Sequence, residues 1–184
     1  MKITIDDKTF EPFIEYSMIE KRIRLIGIQM NVDYEDKVPV FIGVLNGAFM
    51  FMADLMKEIH IGCETTFVKL ASYHGGTKSS GMLTEEFPLS MDIKGRDVVI
   101  IEDIVDTGRT LKFLLDKIKS LEPASVKVAT LLLKPEALEY QFDEIEFIGF
   151  EIANDFVVGY GLDYKNLGRN LQDIYRLCGQ QLPG

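Results

Sequence analysis

Val98-Val99-Ile100-Ile101-Glu102-Asp103-Ile104-Val105-Asp106-Thr107-Gly108-Arg109-Thr110-Leu111 decides the fold class. Four β-branched residues in a row form the apolar run that a strand buried on both faces requires. The run leads into three carboxylates and then a turn of small residues. A helix over Thr110 to Leu121 follows, with Leu111, Leu114, Leu115 and Ile118 on one face. Strand, polar turn and helix in immediate succession are the unit of a parallel sheet. Ligands of such sheets lie beyond the carboxyl ends of the strands, so Glu102 to Thr110 is where chemistry is expected.

The turn Asp106 to Thr110 can aim several backbone N–H groups at one phosphate, helped by the helix dipole and two threonine hydroxyls. Gly108 permits the close approach or positive φ that such a cradle needs. Glu102 and Asp103 would repel a phosphate, but they suit sugar hydroxyls or a hard cation such as Mg²⁺. The plain alternative is an acidic helix cap, with Asp106 or Thr107 capping and Glu102 and Asp103 solvated. Three carboxylates followed by Thr-Gly-Arg-Thr favour a site over a cap.

Outward from this stretch, Val38 to Leu45 is a second buried strand with Pro39 near its start. Asn46-Gly47 breaks it, and Ala48 to Ile59 is expected to be a helix. Ser17-Met18-Ile19-Glu20 fits a capping box, with Ile19, Ile23, Ile26 and Met30 following at helical spacing in a helix expected to end before Asp33. Cys63 to Ser72 reads as a strand leading into a glycine- and hydroxyl-rich loop, Tyr73 to Gly81. Val126 to Leu133 and Phe147 to Phe150 complete the strands. The expected fold is α/β, a mostly parallel sheet flanked by helices, with the whole chain forming one domain.

Composition narrows the function classes. With 47% hydrophobic and 27% charged residues the chain has the makeup of a folded globular protein. A net charge of −9, from 20 basic and 29 acidic residues, disfavours broad attraction to nucleic acid or anionic membrane. A small phosphate ligand is still allowed, because a few N–H groups and one or two cations can hold it. No apolar run approaches the ~20 residues of a membrane-spanning helix, and the first residues lack a secretory h-region. Cys63 and Cys178 are too few and too far apart for a disulfide scaffold, so a cytoplasmic setting is expected.

Glu102 to Thr110 resembles the phosphoribosyl-diphosphate (PRPP) signature of type I phosphoribosyltransferases, and supporting matches from about Phe41 to Arg169 are most similar to the hypoxanthine-guanine branch. The resemblance implies that Glu102 and Asp103 hold the ribose hydroxyls. Asp106, Thr107, Gly108, Arg109 and Thr110 would hold the 5-phosphate, and Asp106 would be the catalytic base. Leu45, Asn46 and Gly47 are similar to the family's diphosphate loop, although many members carry Lys at the position of Asn46. Ser72 and Tyr73 match the Ser-Tyr pair of its catalytic lid.

Lys134 stands where the family places a lysine that donates to the 6-keto oxygen of a purine. Phe156-Val157-Val158-Gly159-Tyr160-Gly161-Leu162-Asp163-Tyr164 resembles the base-binding hood, formed from the N-terminal segment and about residues 135–184. By that likeness Phe156 stacks on the purine and the backbone of Val157 reads its edge. Asp163, with Glu102 and Asp103, holds Mg²⁺, and Arg169 grips the diphosphate. The implied function is transfer of the phosphoribosyl group from PRPP to a 6-oxopurine, by a homodimer or homotetramer with no nucleic-acid or membrane partner. The rivals are a pyrimidine phosphoribosyltransferase, a PRPP-sensing regulator that binds nucleic acid, and a phosphate-binding domain without turnover.

Overall fold

In the computed structural model, which describes residues 1–72 and 83–179, the chain opens with two short strands, β1 (Ile3–Ile5) and β2 (Lys8–Ile14). Helix α1 (Tyr16–Asp33) follows, then β3 (Val40–Leu45), helix α2 (Phe49–Glu58), β4 (Glu64–Ser72) and β5 (Leu83–Phe87). Next come β6 (Asp97–Val105), helix α3 (Arg109–Ser120), β7 (Ser125–Leu133) and β8 (Ile145–Glu151). The last two strands are β9 (Val157–Val158) and β10 (Ile174–Leu177).

The main sheet has the order β5-β4-β3-β6-β7-β8. All its neighbours run parallel except the edge pair β4 and β5. Sequence neighbours diverge between β3 and β6: β3 continues toward β4 on one side, while β6 continues toward β7 on the other. A crevice opens at such a switch point, outside the carboxyl ends of the two strands. Leu45 to Gly47 and Asp103 to Gly108 therefore face each other there.

Alternation along the central strands explains their unbroken apolar runs. Val99 and Ile101 pack on one face with Ile19, Ile23, Phe51 and Leu55 from α1 and α2. Val98 and Ile100 pack on the other with Leu111, Leu114, Leu115 and Ile118 from α3. The main sheet matches the expected α/β architecture. A second, four-stranded sheet of order β1-β2-β10-β9 stands over the crevice. It joins Phe10 to Leu177 and Arg176 to Val157, so its strands come from both ends of the chain, as expected for the hood.

Two local expectations need correction. The first helix does not begin with a Ser17 capping box: α1 starts at Tyr16, and its flanking Glu15 makes no side-chain cap. Asp173 Oδ1 instead accepts from the Tyr16 N–H at 2.8 Å, so the first turn is capped from far along the chain. The second correction concerns β6, which does not end at Ile101. It continues through Glu102 and Asp103 to Val105 because β7 offers partners that far, with Glu102 opposite Thr130 and Val105 opposite Leu133.

Candidate active site

Two cavities meet at the carboxyl ends of β3 and β6. The larger, about 300 Å³, is lined by Val44, Leu45, Gly47, Leu70, the whole of Glu102 to Gly108, Thr110 and Leu111. The smaller, about 250 Å³, is lined by Lys134, Phe156, Val157, Leu162 and Asp163 together with Asp103, Ile104 and Asp106. Asp103, Ile104 and Asp106 belong to both and form the wall between them.

The larger cavity ends at the turn into α3. Gly108 has φ 81°, left-handed backbone that a residue with a Cβ rarely adopts. The turn has only a weak side-chain cap, Thr107 Oγ1 accepting from the Arg109 N–H at 3.4 Å. Asp106 is not the cap, because its carboxylate turns the other way, to Lys134. The turn is braced from outside by Glu139. Its N–H donates to the Thr107 carbonyl at 3.0 Å, and its carboxylate accepts from Arg109 Nε at 2.7 Å. Sequence reading missed Glu139, since nothing local marks it. It also leaves Arg109 pointing outward, into an exposed ion pair.

Glu102 is buried and Asp103 half-buried. Burial, and then the neighbouring Asp103, push the Glu102 carboxyl well above its ordinary range. Burial pushes Asp103 up from 3.8 to about 6, opposed by the Ile104 N–H that donates to Oδ1 at 2.9 Å. Both residues lie within β6, Glu102 buried and Asp103 half-buried, so neither is a solvated acid at a helix start. Asp103 also meets the β3 loop: a Cβ on Gly47 would stand 1.7 Å from Asp103 Oδ2. Asn46 is exposed, and the Leu45–Asn46 peptide is cis.

In the smaller cavity, Lys134 is 5% exposed and its Nζ donates to Asp106 Oδ2 at 2.9 Å. Phe156 packs among Phe10 and Tyr164, ring centroids at 6.2 and 5.8 Å, with Lys8 Nζ 5.3 Å from its centroid. Val157 is buried in β9. Asp163 and Arg169 are paired at 2.6 Å, and Arg169 Nη1 also donates to the Gly161 carbonyl at 2.7 Å. Arg169 lowers and Asp163 raises the Asp103 carboxyl, so the three sit within electrostatic reach of one another. Among the described residues no three His, Cys, Asp or Glu side chains converge into a metal cage, and Glu102, Asp103 and Asp163 therefore do not form one. Ser72 ends β4, while Tyr73 and the rest of the stretch read as a lid lie outside the described residues.

The turn into α3, two adjoining cavities and the acidic wall they share thus lie in one crevice. Residues 15–165 match the phosphoribosyl transferase domain. The chain belongs to the phosphoribosyltransferase family. It is 47% identical over 161 residues to a hypoxanthine-guanine phosphoribosyltransferase of Streptococcus pneumoniae, covering 88% of this chain and 89% of that one. A solved hypoxanthine phosphoribosyltransferase from Staphylococcus aureus superposes with a TM-score of 0.84 at 39% identity, covering 91% of this chain and 90% of the other. A hypoxanthine-guanine phosphoribosyltransferase from Bacillus anthracis gives the same TM-score at 33% identity, covering 90% and 97%. The phosphoribosyltransferase match ends near Lys165, so β10 and Arg169 fall beyond the matched segment.

Proposed function

We propose that this chain transfers the 5-phosphoribosyl group of PRPP to a 6-oxopurine, hypoxanthine and guanine foremost, giving the nucleoside monophosphate and diphosphate in purine salvage. The observation that carries the reading is the position of Asp106. It stands on the wall shared by the two cavities and is bonded to the lysine at the floor of the smaller one.

In this reading the 5-phosphate lies in the turn Asp106 to Thr110, at the N-terminus of α3. Glu102 and Asp103 accept hydrogen bonds from the ribose hydroxyls. The diphosphate rests against the backbone of Leu45, Asn46 and Gly47, and Arg169 reaches it from the hood. The purine enters the smaller cavity, stacks on Phe156 and meets the backbone of Val157. Lys134 donates to its 6-keto oxygen, which adenine lacks, so adenine leaves a buried ammonium without that acceptor. The ribose C1–oxygen bond to diphosphate breaks as the purine N9 bonds to C1. The N7 proton passes to Asp106, whose carboxylate Lys134 holds in place.

The donor set fits Mg²⁺ held by one or two carboxylates and the substrate's own phosphates rather than a protein cage. Glu102, Asp103 and Asp163 are the residues that would hold it. When bound it supplies positive charge against the departing diphosphate. Burial of Glu102 and Asp103 supports this assignment, because each is costly to ionise without a nearby cation.

The setting we propose is cytoplasmic, supported by two free cysteines and by the lack, among the described residues, of any helix long and apolar enough to cross a membrane. Assembly as a homodimer or homotetramer is supported by exposed Met18, Leu25, Ile28 and Val32 along α1. The test is a product assay with PRPP, Mg²⁺ and each of hypoxanthine, guanine, xanthine, adenine and a pyrimidine base. Monophosphate from hypoxanthine or guanine but not adenine supports the reading. Product from the pyrimidine alone, or from none, overturns it.

A further inference from the structure

Helix α2 is rooted in the diphosphate loop: Gly47 is followed by Ala48, and the helix begins at Phe49. One carboxylate, Asp54, interrupts its apolar sequence Phe49-Met50-Phe51-Met52-Ala53. Asp54 Oδ2 accepts from Tyr160 Oη at 2.6 Å and from Tyr16 Oη at 3.4 Å, while Oδ1 accepts from Lys57 Nζ at 2.7 Å. Tyr160 belongs to the hood segment, between Val157, which lines the purine slot, and Asp163 and Arg169.

Tyr160 is fully buried, and a phenol hydroxyl removed from water needs a partner. Its backbone is unusual as well. Tyr160 has φ 50°, between Gly159 at 101° and Gly161 at 98°. A bulky residue in left-handed backbone marks a place where the surroundings dictate conformation. The reason is visible at the next residue. A Cβ on Gly161 would stand 2.0 Å from the Gly47 carbonyl oxygen, so hood and diphosphate loop touch backbone to backbone. The Tyr160 N–H donates to the Leu171 carbonyl and the Gly161 N–H to the Arg169 carbonyl, at 2.8 and 2.9 Å.

We infer that Tyr160 and Asp54 are a positioning pair that fixes the separation between the diphosphate loop and the hood. This inference rests on the site assignment proposed above. The loop and the hood must close on one PRPP–purine pair, and an error of about 1 Å in such a spacing is costly to the reaction. A rigid helix clamped at Asp54 carries the hood's position back to Gly47, seven residues and just under two turns away. Neither residue touches substrate in this arrangement. Their effect appears only for ligands that span both elements.

Tyr160→Phe tests this, since it removes one oxygen and keeps the ring. IMP engages the 5-phosphate cradle and the hood but not the loop, whereas diphosphate bridges the loop and Arg169 of the hood. IMP should bind within about twofold of the unmodified protein, while diphosphate binding weakens and kcat/KM for PRPP with hypoxanthine falls about tenfold. Asp54→Asn keeps an acceptor for Tyr160 and should recover most of the rate, whereas Asp54→Leu should not. The double variant Tyr160→Phe with Asp54→Leu should be no worse than either single change. Parallel weakening of IMP, diphosphate and turnover would reveal a merely structural contact and overturn the inference. Unchanged kcat/KM in Tyr160→Phe, or additive losses in the double variant, would overturn it too. If Asp54→Leu does not fold, Tyr160→Phe against Asp54→Asn decides the matter. Unmodified protein that binds neither IMP nor diphosphate refutes the site assignment, and the coupling with it, before any variant is made.

Discussion

Lys134 Nζ donates to Asp106 Oδ2 at 2.9 Å, and the pair is lopsided: the lysine side chain is 7% exposed and the aspartate 48%. Taking the aspartate away leaves a buried ammonium with the neutral Asn154 Oδ1, a long 3.5 Å away, in place of a charged acceptor, which is costly. Taking the lysine away leaves a carboxylate that water can reach, which costs little. The fold thus depends on Asp106 to keep Lys134 satisfied, while the proposed chemistry would depend on Lys134 to aim Asp106.

That asymmetry sharpens the expectation for Lys134→Met. A charged hydrogen bond to a buried carbonyl contributes roughly 1.5–3 kcal/mol, so kcat/KM for hypoxanthine should fall about 10- to 150-fold. Thermal stability should change little, because no buried charge is left behind. Steady-state kinetics on hypoxanthine, with calorimetry on PRPP, checks both parts. An unchanged rate would return Lys134 to the status of an ordinary strand end.

How much of this was legible in the sequence follows a physical line. The central strands and α3 were, because two-sided burial writes an unbroken apolar run and one-sided burial writes a helical stripe. The turn after β6 was legible because its functional groups are consecutive. The hood strands were not: β9 is two residues long, and β2 pairs with β10 across more than 160 residues, Phe10 opposite Leu177. The cap on α1 was misread for the same reason, since a nearby serine looks like a cap and the real one is Asp173. Asp54 gave a faint local signal, a carboxylate directly after the apolar run Phe49 to Ala53, but its partner Tyr160 lies 106 residues on.

The raised carboxyl of Asp103 predicts a pH dependence with a definite sign. The folded state holds a proton that the unfolded state releases between 3.8 and about 6, so stability is greatest below that window and is lost as pH rises through it. Glu102 acts in the same direction. The full shift at Asp103 corresponds to roughly 3 kcal/mol, and solvent at a half-buried side chain reduces it to on the order of 1–2 kcal/mol. Asp103→Asn should therefore raise the melting temperature at pH 8 by about 2–8 °C and leave it nearly unchanged at pH 4. Calorimetric scans at the two pH values decide it. An equal shift at both would show that the charge is not the cause.

Excess chelator should abolish turnover and leave the melting temperature in place. The first follows from a highly charged donor facing Glu102, Asp103 and Asp163, and the second from the lack of a protein cage among the described residues. Full turnover in chelator would remove the metal from the mechanism. A large drop in melting temperature would instead indicate a structural ion.

Gly47→Ala should damage PRPP use more than purine binding. The added Cβ would stand 1.7 Å from Asp103 Oδ2, so the loop or the carboxylate must move. KM for PRPP should rise on the order of tenfold or more, as a displacement of about 1 Å in a positioning loop allows, while affinity for hypoxanthine, which meets Asp103 only at the shared wall, changes less. Equal losses for both substrates would mean that the substitution disturbs the fold rather than the loop.

Asp106→Asn separates catalysis from phosphate binding. Asparagine keeps the side chain's size and an oxygen that Lys134 can still donate to, so the buried ammonium is not stranded and the fold should hold. It cannot take the purine's proton. If Asp106 is the general base, kcat should fall by on the order of 10²–10⁴, while the Kd for PRPP holds or tightens as a negative charge beside the phosphate is removed. Asp106→Ala should match that loss of kcat and in addition melt several degrees lower, because it leaves the buried Lys134 without a charged partner and with the neutral Asn154 Oδ1 at 3.5 Å. Parallel losses of kcat and PRPP affinity in Asp106→Asn, or no loss of kcat, would end the general-base assignment and leave Asp106 as the anchor of Lys134 alone.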